Sequence, residues 1–326
     1  MKRNQRAGGL RANGVTLGPL SDAELAAIHD SCLEVLERTG VWVEADEALD
    51  VYADGGCSVD RETHVVRIPP HLVEQSIASA PPGFALCGRD PGKDLMLSDG
   101  RVSFANFTEG LRVTDLESGQ NRVSVKQDVA DAVRVADYLD QMDLTVLPVA
   151  AQDCEHAPSA HGFEAAIANT TKHVHAPAIT RAETKAIIEM AALVAGGMDA
   201  LRERPITSAG ACTVSPLKIP SAVNEVCLTM ARAGLPTLWM TMTLAGATGP
   251  VTLAGTLVVQ NSEALAALTL IQLAEPGAKV IYGCSTAGMD LRYGAAVVGT
   301  PELGLIGACI NQLARRCRLP AWIAGL

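Results

Sequence analysis

Two histidines one residue apart, His173-Val174-His175, place both imidazoles on one side of a strand. Barrel metalloenzymes hold a divalent ion with such a pair, completed by ligands from later strands. Here both stand at the beginning of the strand, the end of a barrel that serves stability, and no histidine follows residue 175. The pair therefore reads as structural, and no metal is expected. Cys154-Glu155-His156 offers a thiol beside a base, but neighbours in sequence rarely meet as a dyad, and no cysteine-hydrolase signature surrounds them. Gly246-Ala247-Thr248-Gly249 precedes a helix whose first amides could bind an anion. Its spacing is that of neither a P-loop nor a dinucleotide fingerprint, and Pro250 removes one amide, so it reads as a tight turn.

What remains is a set of polar groups just past predicted strand ends: Gln152-Asp153, Thr213-Val214-Ser215, Thr241-Met242-Thr243 and Cys284-Ser285-Thr286. In a parallel α/β fold these loop starts converge on one face, where ligands bind. Four in register predict a polar, mostly uncharged pocket. The candidate substrate-binding residues are Asn106, Gln152, Asp153, Ser215, Thr241, Thr243 and Ser285. Asp153 is the obvious charge, with Glu302 at the rim, and an acceptor-lined pocket suits a cationic ligand.

The elements that must position these residues recur with a βα period. Apolar strands are predicted at 144–149, 174–179, 206–212, 237–242, 279–283 and 321–324, and the first five are each followed by a helical segment. Their continuous apolar runs are those of a parallel sheet buried on both faces. The stretch 244–302 spans one exit loop, a long apolar helix interrupted by Gln260-Asn261-Ser262-Glu263, the next strand and a second Gly-rich loop. Six strands where a closed barrel needs eight predict an incomplete TIM (β/α)8-type barrel, and the chain reads as part of a longer one. Before it, Ser21-Asp22-Ala23-Glu24 is a capping box, and Gly40 closes the helix that follows. Residues 84–125 read as short strands with turns at Ser98-Asp99-Gly100 and Glu117-Ser118-Gly119. The division expected is an N-terminal α+β extension, 1–125, and a partial barrel, 126–326.

Composition limits the partners. A net charge of -10 disfavours nucleic acid and anionic membrane surfaces. The basic start lacks an apolar signal region, and Gln260, Asn261 and Glu263 break the longest apolar run, so no membrane segment is expected. Nine scattered cysteines suit buried thiols in a reducing cytoplasm.

Four stretches carry a family resemblance: GLRVTDLESGQNRVSVKQDVADAVRVADYLDQMDL from 110, ANTTKHV from 168, SAGACTVSPLK from 208, and the stretch from Leu244 through GTPE at 299–302. Together they resemble the trimethylamine methyltransferase (MttB-like) superfamily along essentially the whole chain. The resemblance implies a TIM barrel behind an N-terminal extension, and transfer of a methyl group from an amine to the Co(I) corrinoid (cobalamin) of a partner protein. It implies that this chain binds no cofactor itself, that the full-length form is a homo-oligomer, and that Asp290, Arg292 and Glu302 lie on a rim facing the corrinoid protein. Most members lack the pyrrolysine of the trimethylamine enzymes and act on quaternary amines such as glycine betaine, and the 326 residues contain no pyrrolysine. The expectation is thus the quaternary-amine branch, C-terminally truncated.

The chemistry agrees with that expectation. A quaternary nitrogen has no proton to lose, so in-line displacement needs positioning and desolvation rather than a base. Aromatic faces suit such a cation, and Phe104, Phe107, Trp239 and Tyr282 are the candidates. A barrel with open edges also predicts impaired stability and no useful turnover from these residues alone. The alternative is then a fragment that at most binds a small cation. A barrel lyase or hydrolase is the weaker third reading, lacking metal ligands and an acid/base pair.

Overall fold

The computed structural model describes residues 10–11, 17–98 and 101–324. Six parallel strands carry the barrel-type sheet, and they are labelled here β1 (Leu144–Val146), β2 (His173–Pro177), β3 (Thr207–Cys212), β4 (Thr237–Thr241), β5 (Val280–Cys284) and β6 (Ala321–Ile323). They hydrogen-bond in sequence order, as in a singly wound barrel. The helices that return the chain are α1 (Pro158–Asn169), α2 (Arg181–Ala195), α3 (Ser221–Arg232), α4 (Leu253–Ala274) and α5 (Pro301–Arg316). All six predicted strands are present within three residues of their expected bounds.

The chain forms two compact units. Among the described residues, the first comprises 10–11, 83–98, 101–210 and 233–236; the second comprises 17–82, 211–232 and 237–324. In the first unit β1 and β2 pair in parallel, with Leu144 opposite His173, and β2 pairs β3 with Val174 opposite Thr207. The outer edge of β1 is not bare. Residues 104–110 run beside it, bridging Ala105 to Leu144 and Gly110 to Val149. Asn106 completes the strap through its side chain: Oδ1 accepts from the Val146 N–H at 2.9 Å, and Nδ2 donates to the Val146 carbonyl at 2.9 Å. An amide side chain thus imitates a peptide group and occupies an edge that would otherwise invite pairing. In the same unit the hairpin of Arg112–Thr114 and Asn121–Val123 turns through Gly119 at φ 69°, at the predicted Glu117-Ser118-Gly119 turn. The other predicted turn includes Asp99 and Gly100, outside the described residues.

In the second unit β4 pairs β5 from Thr237–Val280 to Thr241–Cys284, and β5 pairs β6. The chains approach closely at Gly283, where a Cβ would stand 2.6 Å from the Trp239 carbonyl oxygen, so no side chain fits there. Helix α4 lies between this sheet and the helices Asp22–Glu34 and Pro70–Ser79, and every residue from Gln260 to Gln272 is buried. Covered on opposite faces, it must be apolar nearly all round. It is the one helix among the described residues long and apolar enough to cross a membrane, and 78% of that apolar window is packed inside the protein. The predicted capping box opens Asp22–Glu34: Ser21 Oγ accepts from the Glu24 N–H, and Glu24 Oε2 accepts from the Ser21 N–H at 2.8 Å.

Candidate functional site

Within the second unit, the loop after β3 closes on a carboxylate that sequence reading did not single out as a site residue, and the loop after β4 joins it through one hydroxyl. Glu263 is fully buried near the middle of α4. Its Oε2 accepts from Thr213 Oγ1 at 2.7 Å and Ser215 Oγ at 2.9 Å, and its Oε1 accepts from the Leu217 N–H at 2.9 Å. Leu217 adopts φ 57°, a left-handed conformation disfavoured for a branched side chain. The carboxylate therefore anchors the loop where its backbone is least comfortable. Burial raises the Glu263 carboxyl above the ordinary glutamate range, and the bonds from Thr213, Leu217 and Ser215 offset only part of that rise.

The hydroxyls held by Glu263 lead to the next loop. Ser215 Oγ lies 3.0 Å from Thr243 Oγ1. The Thr243 N–H donates to Thr286 Oγ1 at 3.3 Å, the Ser285 N–H to the Thr241 carbonyl at 2.8 Å, and the Ala287 N–H to the Thr243 carbonyl. Four expected residues, Ser215, Thr241, Thr243 and Ser285, thus belong to one hydrogen-bonded set. Ser285 is half-buried and the other three are buried. Thr241 faces the helix layer: its Oγ1 accepts from Gln260 Nε2 at 3.0 Å and donates to the Gly283 carbonyl.

The strand alternation that turns Thr241 toward α4 also turns Trp239 and Tyr282. Tyr282 donates to Asn261 Oδ1 at 2.7 Å, and Trp239 is 2% exposed within the core. Those two rings are core and network residues rather than walls of a cation cage. Phe104 and Phe107, in the first unit, are exposed.

The remaining expected substrate residues lie in the first unit, each engaged by nearby backbone. Besides the Asn106 bonds described above, Gln152 Nε2 donates to the Leu111 carbonyl and Ser124 Oγ. Asp153 Oδ1 accepts from the Lys126 N–H at 2.7 Å, capping the helix Lys126–Tyr138. Of the rim residues, Asp290 accepts from the Arg292 N–H at 2.8 Å within the turn of the hairpin Ala287–Asp290 and Ala295–Val297. Arg292 is exposed, and so is Glu302, in the first turn of α5.

The histidine pair is tied to its own unit. His173 Nδ1 lies 3.1 Å from both the Cys87 and Pro205 carbonyls, and its Nε2 lies 2.9 Å from Ser208 Oγ. His175 Nδ1 is also 2.9 Å from that hydroxyl. Since carbonyls only accept, His173 carries its proton on Nδ1, Ser208 donates to His173 Nε2, and His175 donates to Ser208. Desolvation lowers His173 to about 4 and His175 to about 3, so both are neutral. The 246–249 turn consumes its own amides: the Gly246 N–H reaches the Gly249 and Pro250 carbonyls, and the Ala247 and Gly249 N–H groups reach the Leu244 carbonyl. Helix α4 begins beyond it, capped by Thr252, whose side chain accepts from the Gly255 N–H.

One signal for Glu263 was present in the sequence. Gln260, Asn261, Ser262 and Glu263 form a single polar turn inside an otherwise apolar helix, and buried polar groups require partners. A helix buried on all faces gives no period from which to read where such a turn points.

A family model described as trimethylamine methyltransferase (MTTB) matches residues 2–326. The trimethylamine methyltransferase MttB of Desulfitobacterium hafniense (strain DSM 10664 / DCB-2) is 46% identical over 98% of this chain, which spans 65% of that relative's length. The glycine betaine methyltransferase of Desulfitobacterium hafniense (strain Y51) is 29% identical over 94% of this chain and 64% of its own length. Among solved structures, the Methanosarcina barkeri monomethylamine methyltransferase (MtmB) superposes with a TM-score of 0.54 at 13% identity, covering 97% of this chain and 69% of that one. That likeness supports the barrel-type fold alone.

Proposed function

The chain belongs to the trimethylamine methyltransferase family, and on that premise we propose that it takes part in moving a methyl group from a methylated amine to the Co(I) corrinoid of a partner protein. The carrying observation is the family match over residues 2–326. Trimethylamine is the first substrate to test, because the relative named for it is 46% identical and the relative named for glycine betaine 29%. Quaternary amines form the second arm.

In this reading the cobalt electron pair forms the new Co–C bond, and the C–N pair leaves with nitrogen, giving dimethylamine from trimethylammonium. The nitrogen must be cationic for the amine to leave neutral. The chain's own part is to bind, orient and desolvate that cation. The hydroxyl and carbonyl acceptors around Ser215, Thr241, Thr243 and Ser285 supply polarity of the matching sign. The exposed rim with Asp290, Arg292 and Glu302 is the proposed meeting place with the corrinoid protein.

The experiment mixes the chain with a reduced corrinoid protein and either trimethylamine or glycine betaine. Loss of the Co(I) absorbance is followed together with the demethylated amine. Dimethylamine formed in proportion to cobalt methylated is the expected result. No product from either amine, with Co(I) intact, would reject turnover by this chain; binding of the amine without product would leave the cation-binding alternative.

A further inference from the structure

Glu263 does more than clamp a loop. An ionised carboxylate only accepts hydrogen bonds, and Glu263 accepts three, from Thr213, Ser215 and Leu217. Those bonds satisfy its lone pairs, yet neutral donors leave its charge in place. Among the described residues, the bonds that Glu263 accepts come from neutral donors. A buried carboxylate without a charged partner is costly, and an amide could accept from the loop without that cost if anchoring were its whole purpose.

The carboxylate also sets the direction of the hydroxyls in front of it. The single proton of Ser215 is committed to Glu263 Oε2, so at 3.0 Å Thr243 donates to Ser215. Thr213 is committed likewise. Thr213 and Ser215 turn their protons to Glu263 and Thr243 turns its proton to Ser215, so each hydroxyl keeps acceptor capacity on its other side. The loops after β3 and β4 therefore carry oriented dipoles of one sign, backed by a full negative charge.

We propose that Glu263 is the counter-charge that makes this site select a cation, acting through the Ser215 and Thr243 hydroxyls as a positioning residue rather than by touching the reacting atoms. This inference rests on the amine-methyltransferase reading and names the residue that would carry its charge selectivity.

The test compares a cation with a neutral molecule of similar shape. Tetramethylammonium and tert-butanol are titrated into the full chain, wild type and Glu263→Gln, with binding read from methyl-proton NMR. The expected result is a loss of about 10- to 100-fold in tetramethylammonium affinity, the scale of one charge acting in a partly screened site, with tert-butanol within about twofold. Equal weakening of both ligands would mean a merely structural role and overturn the inference; so would unchanged tetramethylammonium binding. If the wild type binds neither ligand, the amine reading itself falls. If the Gln variant does not fold, Ser215→Ala still breaks the relay and should lower the preference for the cation over tert-butanol by about threefold or more. An unchanged preference there would also overturn the proposal.

Discussion

Two buried polar clusters use the same elementary parts to opposite ends. In the first unit His173, Ser208 and His175 form a closed neutral chain at the beginning of β2, with every proton assigned by the carbonyls of Cys87 and Pro205. In the second unit Glu263, Ser215 and Thr243 form a chain anchored on a charge and directed past the ends of β3 and β4. Both contain a titratable group bonded to a serine hydroxyl, and both are buried. They differ in what each leaves over. The histidine chain ends on backbone and has no net charge, so it locks strands together. The glutamate chain retains a charge and unspent acceptors, so it can act on something else. Residue type alone would rank the two the other way.

The strongest way to break this contrast is to remove the charge and the acceptors together. Glu263→Leu strands two hydroxyls and one amide in the core and should destabilise the protein by about 3–5 kcal/mol, read from denaturant unfolding. A loss below about 1 kcal/mol would mean that the loop finds other partners. Ser208→Ala removes the link between the two imidazoles and should cost about 1–3 kcal/mol while leaving the preference for tetramethylammonium unchanged. A shift in that preference would tie the histidine chain to ligand binding and erase the distinction.

The histidines also predict a pH dependence that can be measured without mutation. Both have folded-state pKa values depressed below the usual 6.5, to about 4 and about 3. Between those values and 6.5 the unfolded chain binds more protons than the folded one, so stability falls as pH falls. The slope is about 1.4 kcal/mol per pH unit for each histidine across the window where it is protonated only when unfolded. Melting curves from pH 7.5 to 4.5 should drop mainly below about pH 6.5. A flat profile over pH 6.5–4.5 would show that the two imidazoles are not buried neutral.

The parts of the fold legible in sequence were those governed by repeated local rules. Each barrel strand announced itself as a continuous apolar run because both faces are covered, and Ser21 with Glu24 announced a helix start because the capping box is made within four residues. The strap along β1 was not legible, since its pairing runs partly through the Asn106 amide, a side chain that resembles any loop asparagine. Among candidate site residues, the hydroxyls after β3, β4 and β5 are named in sequence by their position in the βα repeat. Glu263 is hidden in sequence because it sits near the middle of a helix, and only the packing on both faces of α4 fixes where it points. Which way Trp239 and Tyr282 face is left open by the sequence for the same reason: alternation along a strand with two buried faces does not say which face is the helix layer.

Asp153 provides the finest test, because it was the acid that sequence position favoured as the pocket's charge. Its carboxylate accepts from the Lys126 N–H at the start of a 13-residue helix, where an acidic cap also meets the positive end of the helix dipole. It is exposed, so water screens whatever field it projects, whereas the charge of Glu263 is shielded from solvent on every side. Asp153→Ala should therefore cost about 0.5–2 kcal/mol of stability, the range of a lost cap, and leave the tetramethylammonium to tert-butanol ratio within about twofold. If that ratio collapses in Asp153→Ala and survives in Glu263→Gln, the charge that selects the ligand belongs to the first unit. The polar turn of α4 would then be a loop anchor and no more.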